Sequence, residues 1–276
     1  MVNLKTVWSA AAAWNGAAFA AVRFDGKVRN ALIGSRSFLL KEHMFTISVA
    51  GLKIGIEHHF KAVLRECEPY LTADEPDFCV AAADEKILAE RRNFGKRIAN
   101  AESICLQREI AERLPAYDAF VFHAAILAID GCAYAFTAPS GTGKTTHIRQ
   151  YLQCYGERVK VLNGDKPILR KTDGRFFAYG TPWNGKEKLG EKLAAPLCGI
   201  CFLERGETNE IAALSKEDAP PRMMRQIYLP HDAQNRLRML QLLDELLLQT
   251  PLYLMHCEPT PEAARMSYAA MHRKPV

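Results

Sequence analysis

The sequence predicts an α/β fold with a mixed β-sheet, preceded by a small α+β lobe. Strand and helix patterns alternate over residues 117–276, which is typical of α/β domains. An apolar run at residues 120–129 is followed by Asp130 and Gly131, a hairpin turn signal, and then by a strand pattern at 132–137. Because a tight hairpin joins antiparallel strands, we expect the sheet to be mixed rather than wholly parallel.

Composition places the chain among ordinary globular proteins. It has 276 residues, 49% hydrophobic and 24% charged, a balance that excludes collagen, low-complexity disorder and a disulfide-stapled miniprotein. The formal net charge is +5, but residues 1–43 hold six lysines and arginines against two acids and so carry +4 of it. The chain from Met44 onward is nearly neutral. The basic balance therefore does not indicate a nucleic-acid or membrane partner, and we expect neither.

Residues 1–43 are interpreted as a leader or a mis-assigned N-terminal extension. The stretch at 9–22 is rich in alanine and contains an A-x-A pattern at residues 18–20, as a secretory signal would. However, Asn15 and Gly16 interrupt it, and it is shorter than the roughly 20 apolar residues that span a bilayer. A clean strand pattern begins at Met44, which favours a native start there.

The cysteine pattern predicts reduced thiols and a cytoplasmic protein. Eight cysteines are scattered along the chain without the spacing of a disulfide framework. Cys198 and Cys201 have the spacing of a metal or redox pair, but they lie inside a strand pattern. A zinc site would also need His256 and Cys257, so zinc is the less favoured interpretation.

Residues 44–116 form the predicted α+β lobe. The segment 44–57 alternates apolar and polar residues around Gly51, which predicts a hairpin. The further elements expected in the lobe are a helix at 60–67, a strand at 78–82 and a mostly helical stretch at 84–112 with an interruption at Gly95.

The domain at 117–276 continues the alternation after the hairpin. A helix is predicted after residue 143, with apolar residues at helical spacing and Gly156 at its end. Ser215 with Asp218 has the pattern of a capping box, and Asp232 is expected to cap a long amphipathic helix that ends at Gln249. The other expected elements are strands at 159–162, 176–179, 197–203 and 252–257 and a final helix that begins with a proline.

A glycine-rich motif between the hairpin and this helix fits a phosphate-binding loop. Glycines let successive backbone N–H groups point at phosphate oxygens, and the helix start adds positive potential. Lys144 is suited to the β- and γ-phosphates and the Thr145 hydroxyl to Mg²⁺, so we expect ATP and Mg²⁺ as cofactors. The expected nucleotide-binding residues are Ala138 (in place of the usual first glycine), Pro139, Ser140, Gly141, Thr142, Gly143, Lys144, Thr145 and Thr146.

Asp165 is the candidate acid that completes this site. It follows the apolar strand that comes after the motif's helix, where a metal-binding or catalytic acid is expected. It would either hold Mg²⁺ or accept the proton of an attacking hydroxyl group. The order Asn163, Gly164, Asp165, Lys166 is not the guanine-reading order of GTPases.

Three other features have both a functional and a plain structural interpretation. His123 beside an apolar strand is a proton-transfer candidate or a structural histidine. The turn-rich segment 180–187, with an exposed-looking Trp183, is a substrate-contacting loop or an ordinary surface loop. Arg222 and Arg225 face an anionic substrate or form a solvated helix face, and the solvated face is favoured.

Six segments in this order resemble the HPr kinase/phosphorylase-like P-loop family, closest to shorter members found beside peptide-modification genes. The segments are His123-Ala-Ala, the hairpin, TAPSGTGKTT, NGDKP, GTPWNGKE and FLERGE, within residues 117–276. The resemblance implies the fold shared with phosphoenolpyruvate carboxykinase, a serine of a protein or peptide as acceptor, and possible homo-oligomers. It also implies that His123 lies near the transferred phosphate and that an aspartate pair supplies base and metal contact.

The sequence departs from the family at that pair. If Asp165 matches the first acid, Lys166 replaces the second; if Asp165 matches the second, Gly164 stands where the base belongs. The candidate catalytic residues are Asp165, His123 and Lys144, and the candidate metal ligands are Thr145 and Asp165. The leading hypothesis is an ATP- and Mg²⁺-dependent kinase, the alternative is a non-catalytic ATP-binding accessory module, and carboxykinase chemistry ranks third.

Overall fold

The computed structural model describes residues 19–24, 27–32 and 43–272. The chain divides into two units, Met1–Met44 and Phe45–Val276. In the first unit, β1 (Phe19–Phe24) pairs antiparallel with β2 (Lys27–Leu32), so part of the predicted leader forms a β-hairpin. The alanine-rich stretch before residue 19 lies outside the described residues.

From Met44 onward the predicted alternation of strands and helices is present. The strands are β3 (Met44–Val49), β4 (Leu52–Glu57), β5 (Leu71–Thr72), β6 (Phe78–Ala81), β7 (Ala119–Val121), β8 (Ala125–Ile129), β9 (Cys132–Thr137), β10 (Val159–Asn163), β11 (Ile168–Thr172), β12 (Arg175–Tyr179), β13 (Ala194–Arg205), β14 (Glu210–Ala213) and β15 (Leu252–Cys257). The α-helices are α1 (Lys61–Cys67), α2 (Asp84–Phe94), α3 (Ile98–Arg113), α4 (Lys144–Tyr155), α5 (Ala219–Met224), α6 (Ala233–Gln249) and α7 (Pro261–Met271).

The first sheet has the strand order β5-β3-β4-β6. The hairpin predicted at 44–57 is confirmed, and its turn residues Ala50 and Gly51 both have positive φ, as tight hairpin turns require. Buried side chains of this sheet pack with those of α1–α3 in one hydrophobic cluster, which also includes Val121, Ile168 and Trp183 from later in the chain. The packing therefore joins this part of the unit to the second sheet.

The second sheet has nine strands and is mixed, as predicted. Its order is β10-β8-β9-β13-β12-β11-β7, with β15 beside β13 and β14 beside β15. Alternate residues of β8 and β9 enter different cores: Ile126 and Ala135 pack in the core that contains α5 and α6, whereas Leu127 and Phe136 pack in the core that contains α4 and α7. The sheet is therefore covered by helices on both faces.

Strand directions bring several segments to one edge of this sheet. β9 and β10 are both antiparallel to β8, and β13 is parallel to β9. The carboxyl ends of β9, β10 and β13 therefore lie at the same edge as the start of β8. The 138–145 loop follows β9, Asp165 follows β10, Arg205 is the last residue of β13, and His123 precedes β8.

The apolar run at 120–129 is not one strand. It divides into β7 and β8, which pair with different neighbours, β11 and β9. The break lies where the Phe122 N–H donates to the Pro167 carbonyl (3.0 Å) and the His123 N–H donates to the Gln226 carbonyl (2.7 Å). Hydrophobicity alone does not reveal a change of strand partner, so the run is continuous in sequence but interrupted in structure.

Two helix boundaries lie where the sequence predicts them, at Gly156 and at Asp232. α4 ends at Tyr155 before Gly156, which has φ +56°. The Asp232 carboxylate accepts a hydrogen bond from the Asn235 N–H (2.8 Å), and α6 ends at Gln249 as predicted. Among residues 43–272, no helix combines the length and the apolar character needed to cross a membrane.

One cysteine pair departs from the expectation of reduced thiols. Cys132 of β9 and Cys198 of β13 form a disulfide with their Cα atoms 5.7 Å apart. β9 and β13 are parallel neighbours, and Ala133 lies opposite Leu197, so the two cysteines meet across the sheet. They are 66 residues apart in sequence, which is why spacing did not reveal the pair.

Acidification is expected to destabilise the protein through His147 of α4. Burial lowers the pKa of His147 from 6.5 to about 4, and its Nε2 lies 3.1 Å from the Ser267 hydroxyl. Between pH 6.5 and 4 the unfolded chain binds this proton more readily, so stability falls as pH falls. A shift of this size corresponds to about 3 kcal/mol of unfolding free energy.

Denaturant unfolding at pH 7 and pH 4 measures this effect. In His147→Phe the loss of stability between the two pH values should be smaller by about 3 kcal/mol, because no buried imidazole remains to be protonated. An equal loss in both proteins would contradict the assignment.

Candidate functional site

The 138–145 loop joins the end of β9 to the start of α4. Gly141 and Gly143 have φ +80° and +128°, conformations that are strained for any other residue type. A Cβ at either position would meet no neighbouring atom, so backbone conformation rather than space requires glycine there. Ala138 has no positive φ and is buried, which explains why alanine is compatible with the position where the motif usually has glycine.

Lys144 lies folded over the start of this loop. Its side chain is buried, and its Nζ donates to the carbonyls of Ala138 (2.8 Å) and Pro139 (3.4 Å). Burial lowers the pKa of Lys144, while the negative charge of Asp165 acts in the opposite direction. The ammonium group therefore sits within the loop and within electrostatic reach of Asp165.

Asp165 is held in a turn by the buried side chain of Asn163. The Asn163 Oδ1 accepts hydrogen bonds from the N–H groups of Asp165 (2.8 Å) and Lys166 (2.7 Å). The Asn163 Nδ2 donates to the Thr181 hydroxyl (2.9 Å), and both residues are fully buried. Asn163 and Thr181 were not among the predicted site residues, although an asparagine two residues before an aspartate at a strand end is the pattern of an Asx turn.

The Asp165 carboxylate contacts an imidazole and an ammonium group. Its Oδ1 lies 3.3 Å from His123 Nε2 and 2.9 Å from Lys166 Nζ. Partial burial acts to raise the pKa of Asp165, but the hydrogen bond from His123 and the charge of Lys166 outweigh it and lower the pKa to about 2. Asp165 is therefore a carboxylate at any physiological pH. A group this acidic is better suited to holding a cation than to accepting a proton.

His123 is fixed by its backbone on two sides. Its carbonyl accepts a hydrogen bond from the Thr137 hydroxyl (2.9 Å) at the end of β9, and its N–H donates to the Gln226 carbonyl (2.7 Å). These bonds connect the start of β8 to the loop and to the segment after α5. They hold the imidazole beside Asp165 at the common edge of the sheet.

The 180–187 segment lies against Asp165. The prediction that Trp183 is exposed is wrong. Its side chain is buried, and the indole Nε1 donates to the Ser103 hydroxyl (3.1 Å) of α3. A tryptophan in a turn-rich segment looks accessible in sequence. Here it packs in the hydrophobic cluster of the first sheet and α1–α3, and so holds the segment against that cluster. A Cβ at Gly185 would lie 3.0 Å from Asp165 Cβ, so this part of the segment forms a wall beside the carboxylate.

Thr145 and Asp165, the predicted metal ligands, supply fewer oxygens than the octahedral Mg²⁺ ion needs, so phosphate oxygens and water would have to supply the others. Thr145 is half-buried near the start of α4. Within the described part of the chain, no group of three or more His, Cys, Asp or Glu side chains could hold a metal by itself. Mg²⁺ is commonly held by one or two protein groups together with substrate phosphates, so a hydroxyl and one carboxylate are compatible with it.

Arg222 and Arg225 do not share a solvated helix face, since α5 ends at Met224. Arg222 forms an ion pair with Glu204 near the end of β13, whereas Arg225 follows the helix. Together with Arg205, both line a cavity beside the 138–145 loop. Arg225 is exposed, as the solvated interpretation expects, whereas Arg222 is half-buried in its ion pair.

Replacing Asn163 by alanine is expected to destabilise the protein and to release Asp165 from its turn. The substitution removes the acceptor for two N–H groups and the donor to Thr181, and each buried group left unpaired costs about 1–3 kcal/mol. Denaturant unfolding should show a loss of about 2–4 kcal/mol. Lys160→Ala, on an exposed position of the same strand, should stay within about 0.5 kcal/mol. Equal stability of the two variants would contradict this role of Asn163.

No protein-family model and no curated protein matches this sequence. Among solved structures, the chain has a distant structural likeness to the HPr(Ser) kinase/phosphatase from Coxiella burnetii. The two are 10% identical with a TM-score of 0.33, over 55% of this chain and 97% of that chain. A likeness at this level carries no inference about the function of this chain.

Proposed function

We propose that this protein is an ATP- and Mg²⁺-dependent phosphotransferase that passes the γ-phosphoryl group to a hydroxyl group, with a serine of a protein or peptide as acceptor. The supporting observation is the grouping at one sheet edge. Lys144 is buried within a loop of phosphate-binding type, and Asp165 lies within its electrostatic reach while contacting His123.

Each residue has a defined part in this proposal. The N–H groups of the 138–145 loop and the Lys144 ammonium would bind the phosphates, for which Lys144 would exchange its carbonyl contacts. Thr145 and Asp165 would hold Mg²⁺, which supplies charge neutralisation when bound. His123 is the better candidate to receive the acceptor's proton, because Asp165 is too acidic for that task.

One observation favours a second candidate function, a nucleotide-binding module without transfer activity. Lys166 stands next to Asp165 and forms an ion pair with it at 2.9 Å. A cation at this position competes with a metal ion for the carboxylate. In such a module the loop would bind ATP, but the acid would remain neutralised by Lys166.

A transfer assay with γ-labelled ATP separates the two functions. The kinase proposal predicts label on a seryl peptide or on the protein itself, in a reaction that needs Mg²⁺. Binding of ATP without label on peptide, protein or inorganic phosphate would contradict transfer and support the module. Failure to bind ATP at all would contradict both.

A further inference from the structure

A cavity of about 390 Å³ lies on the β13 side of the 138–145 loop. Its wall includes residues 137–142 of the loop region but not Lys144 or Thr145, where the nucleotide phosphates are expected. The opposite walls come from the end of β13 and from the segment that follows α5. The cavity therefore shares residues 138–142 with the expected nucleotide site and extends from them to the arginines near the end of β13 and after α5.

The charged groups of this cavity are mostly cationic. Arg205, Arg222 and Arg225 line it, and Glu204 is the acid among the lining residues. Glu204 is paired with Arg222, and its other oxygen lies 3.7 Å from His256 Nδ1. Arg205 donates to the Gly141 carbonyl (2.8 Å) in the loop. The formal charge of the lining side chains is +2.

Two side chains in the wall have unused hydrogen-bonding capacity. Arg225 makes no side-chain hydrogen bond or ion pair with any residue that the structure describes, although it carries five N–H donors. Gln226 is only 6% exposed, and its Oε1 has no hydrogen-bond partner among the described residues. The Gln226 Oε1 accepts hydrogen bonds and calls for a donor, so the capacity of this wall to bind an anion lies in the N–H donors of Arg225.

The cavity is also connected to the proposed reaction centre. The Gln226 carbonyl accepts from the His123 N–H, and the hydroxyl of Thr137 donates to the His123 carbonyl. Both Thr137 and Gln226 line the cavity. A group bound there would thus lie against the residues that hold His123.

We propose that the arginine-lined side of this cavity is a second oxyanion site, which takes a phosphate or carboxylate group of the acceptor. Planar guanidinium groups bind such oxyanions through paired N–H donors. This inference rests on the proposed phosphotransfer, since it assigns the arginine-lined side of the cavity to the acceptor. The acceptor is then an acidic or already phosphorylated molecule, with an anionic group beside the hydroxyl that receives phosphate.

Calorimetric titration of the nucleotide-loaded protein tests the site. The protein is saturated with Mg²⁺ and a non-hydrolysable ATP analogue, and inorganic phosphate or malonate is then added. Saturable binding of either anion is expected, and the preferred anion identifies the acceptor group as phosphoryl or carboxylate. Arg225→Gln should weaken this binding at least about tenfold, because a charge-assisted contact is lost. Arg175→Gln removes an exposed arginine at the start of β12, next to the β11–β12 turn, and should bind as wild type does.

Arg225→Gln should fold normally, because Arg225 is exposed and makes no described contact. If neither anion binds the loaded protein, or if Arg225→Gln binds like wild type, the second site does not exist. Failure of the ATP analogue to bind would instead contradict the proposed function. In that case the anions are titrated into Lys144→Met, whose loop lacks its cation, so that the cavity is tested independently of the nucleotide.

Discussion

Replacing Lys144 by methionine is expected to weaken Mg-ATP binding by about 10–100-fold and to reduce phosphoryl transfer by about 10²–10³-fold. Methionine keeps an unbranched side chain in this buried position and removes the ammonium group with its charge and its hydrogen-bond donors. The ammonium group now bonds the carbonyls of Ala138 and Pro139, and the phosphates would take over these contacts. Calorimetry measures the binding, and labelled ATP measures the transfer.

Lys160→Met serves as the control for charge, because Lys160 is exposed and lies on β10 away from the loop. It should bind Mg-ATP as wild type does. A Lys144→Met protein that keeps wild-type affinity for Mg-ATP would show that the 138–145 loop is not a phosphate site. Both the kinase and the binding module would then be excluded.

Replacing Asp165 by asparagine is expected to reduce transfer by about 10²–10⁴-fold while leaving ATP binding within about tenfold of wild type. Asparagine has the same shape but lacks the charge that pairs with His123 and Lys166 and that would hold Mg²⁺. The apparent affinity for Mg²⁺ in the transfer assay should fall at the same time. Rates at several Mg²⁺ concentrations measure both effects.

Asp173→Asn is the matched control, because Asp173 lies exposed in the β11–β12 turn with φ +49°, a conformation that asparagine also adopts. It should transfer phosphate at the wild-type rate. If Asp165→Asn also retains that rate, Asp165 is neither a metal ligand nor a catalytic group. His123 alone would then remain as the polar group beside the proposed acceptor.

The pKa of Asp165 also sets the pH range of its contribution. The pKa is lowered from 3.8 to about 2, so the stabilising contacts of the carboxylate are complete above pH 4 and are lost as pH falls toward 2. Asp165 therefore contributes no change in transfer rate between pH 8 and pH 5. His147 contributes to the acid-induced loss of stability in the range from pH 6.5 to 4, and His272, whose pKa is also lowered by burial, acts in the same direction.

Local patterns in the sequence predicted most elements of the fold correctly. The hairpins at 44–57 and 125–137, the end of α4 at Gly156 and the Asp232 cap of α6 each depend on contacts within a few residues. Such contacts are encoded by periodicity, turn residues and caps, so they can be recognised without knowing the strand order. The same holds for the strand–loop–helix arrangement around Lys144.

Residues distant in sequence met in ways that no local pattern encodes. Trp183 looks exposed in a turn-rich segment but packs in a core formed largely by residues 47–121. Cys132 and Cys198 pair only because β9 and β13 are neighbours. Arg225 lines a cavity only because the segment after α5 returns to the loop.

By itself, therefore, the sequence determined most of the helices and strands, the mixed character of the second sheet and the glycine-rich loop with its lysine. The tertiary structure alone decided that Asp165 faces His123 and Lys166, that Asn163 holds the turn, and that arginines collect on the other side of the loop. The physical reason is that side-chain periodicity specifies which face of an element is buried, but not which elements become neighbours. Strand order and direction carry that information, and they bring the ends of β9, β10 and β13 to one edge.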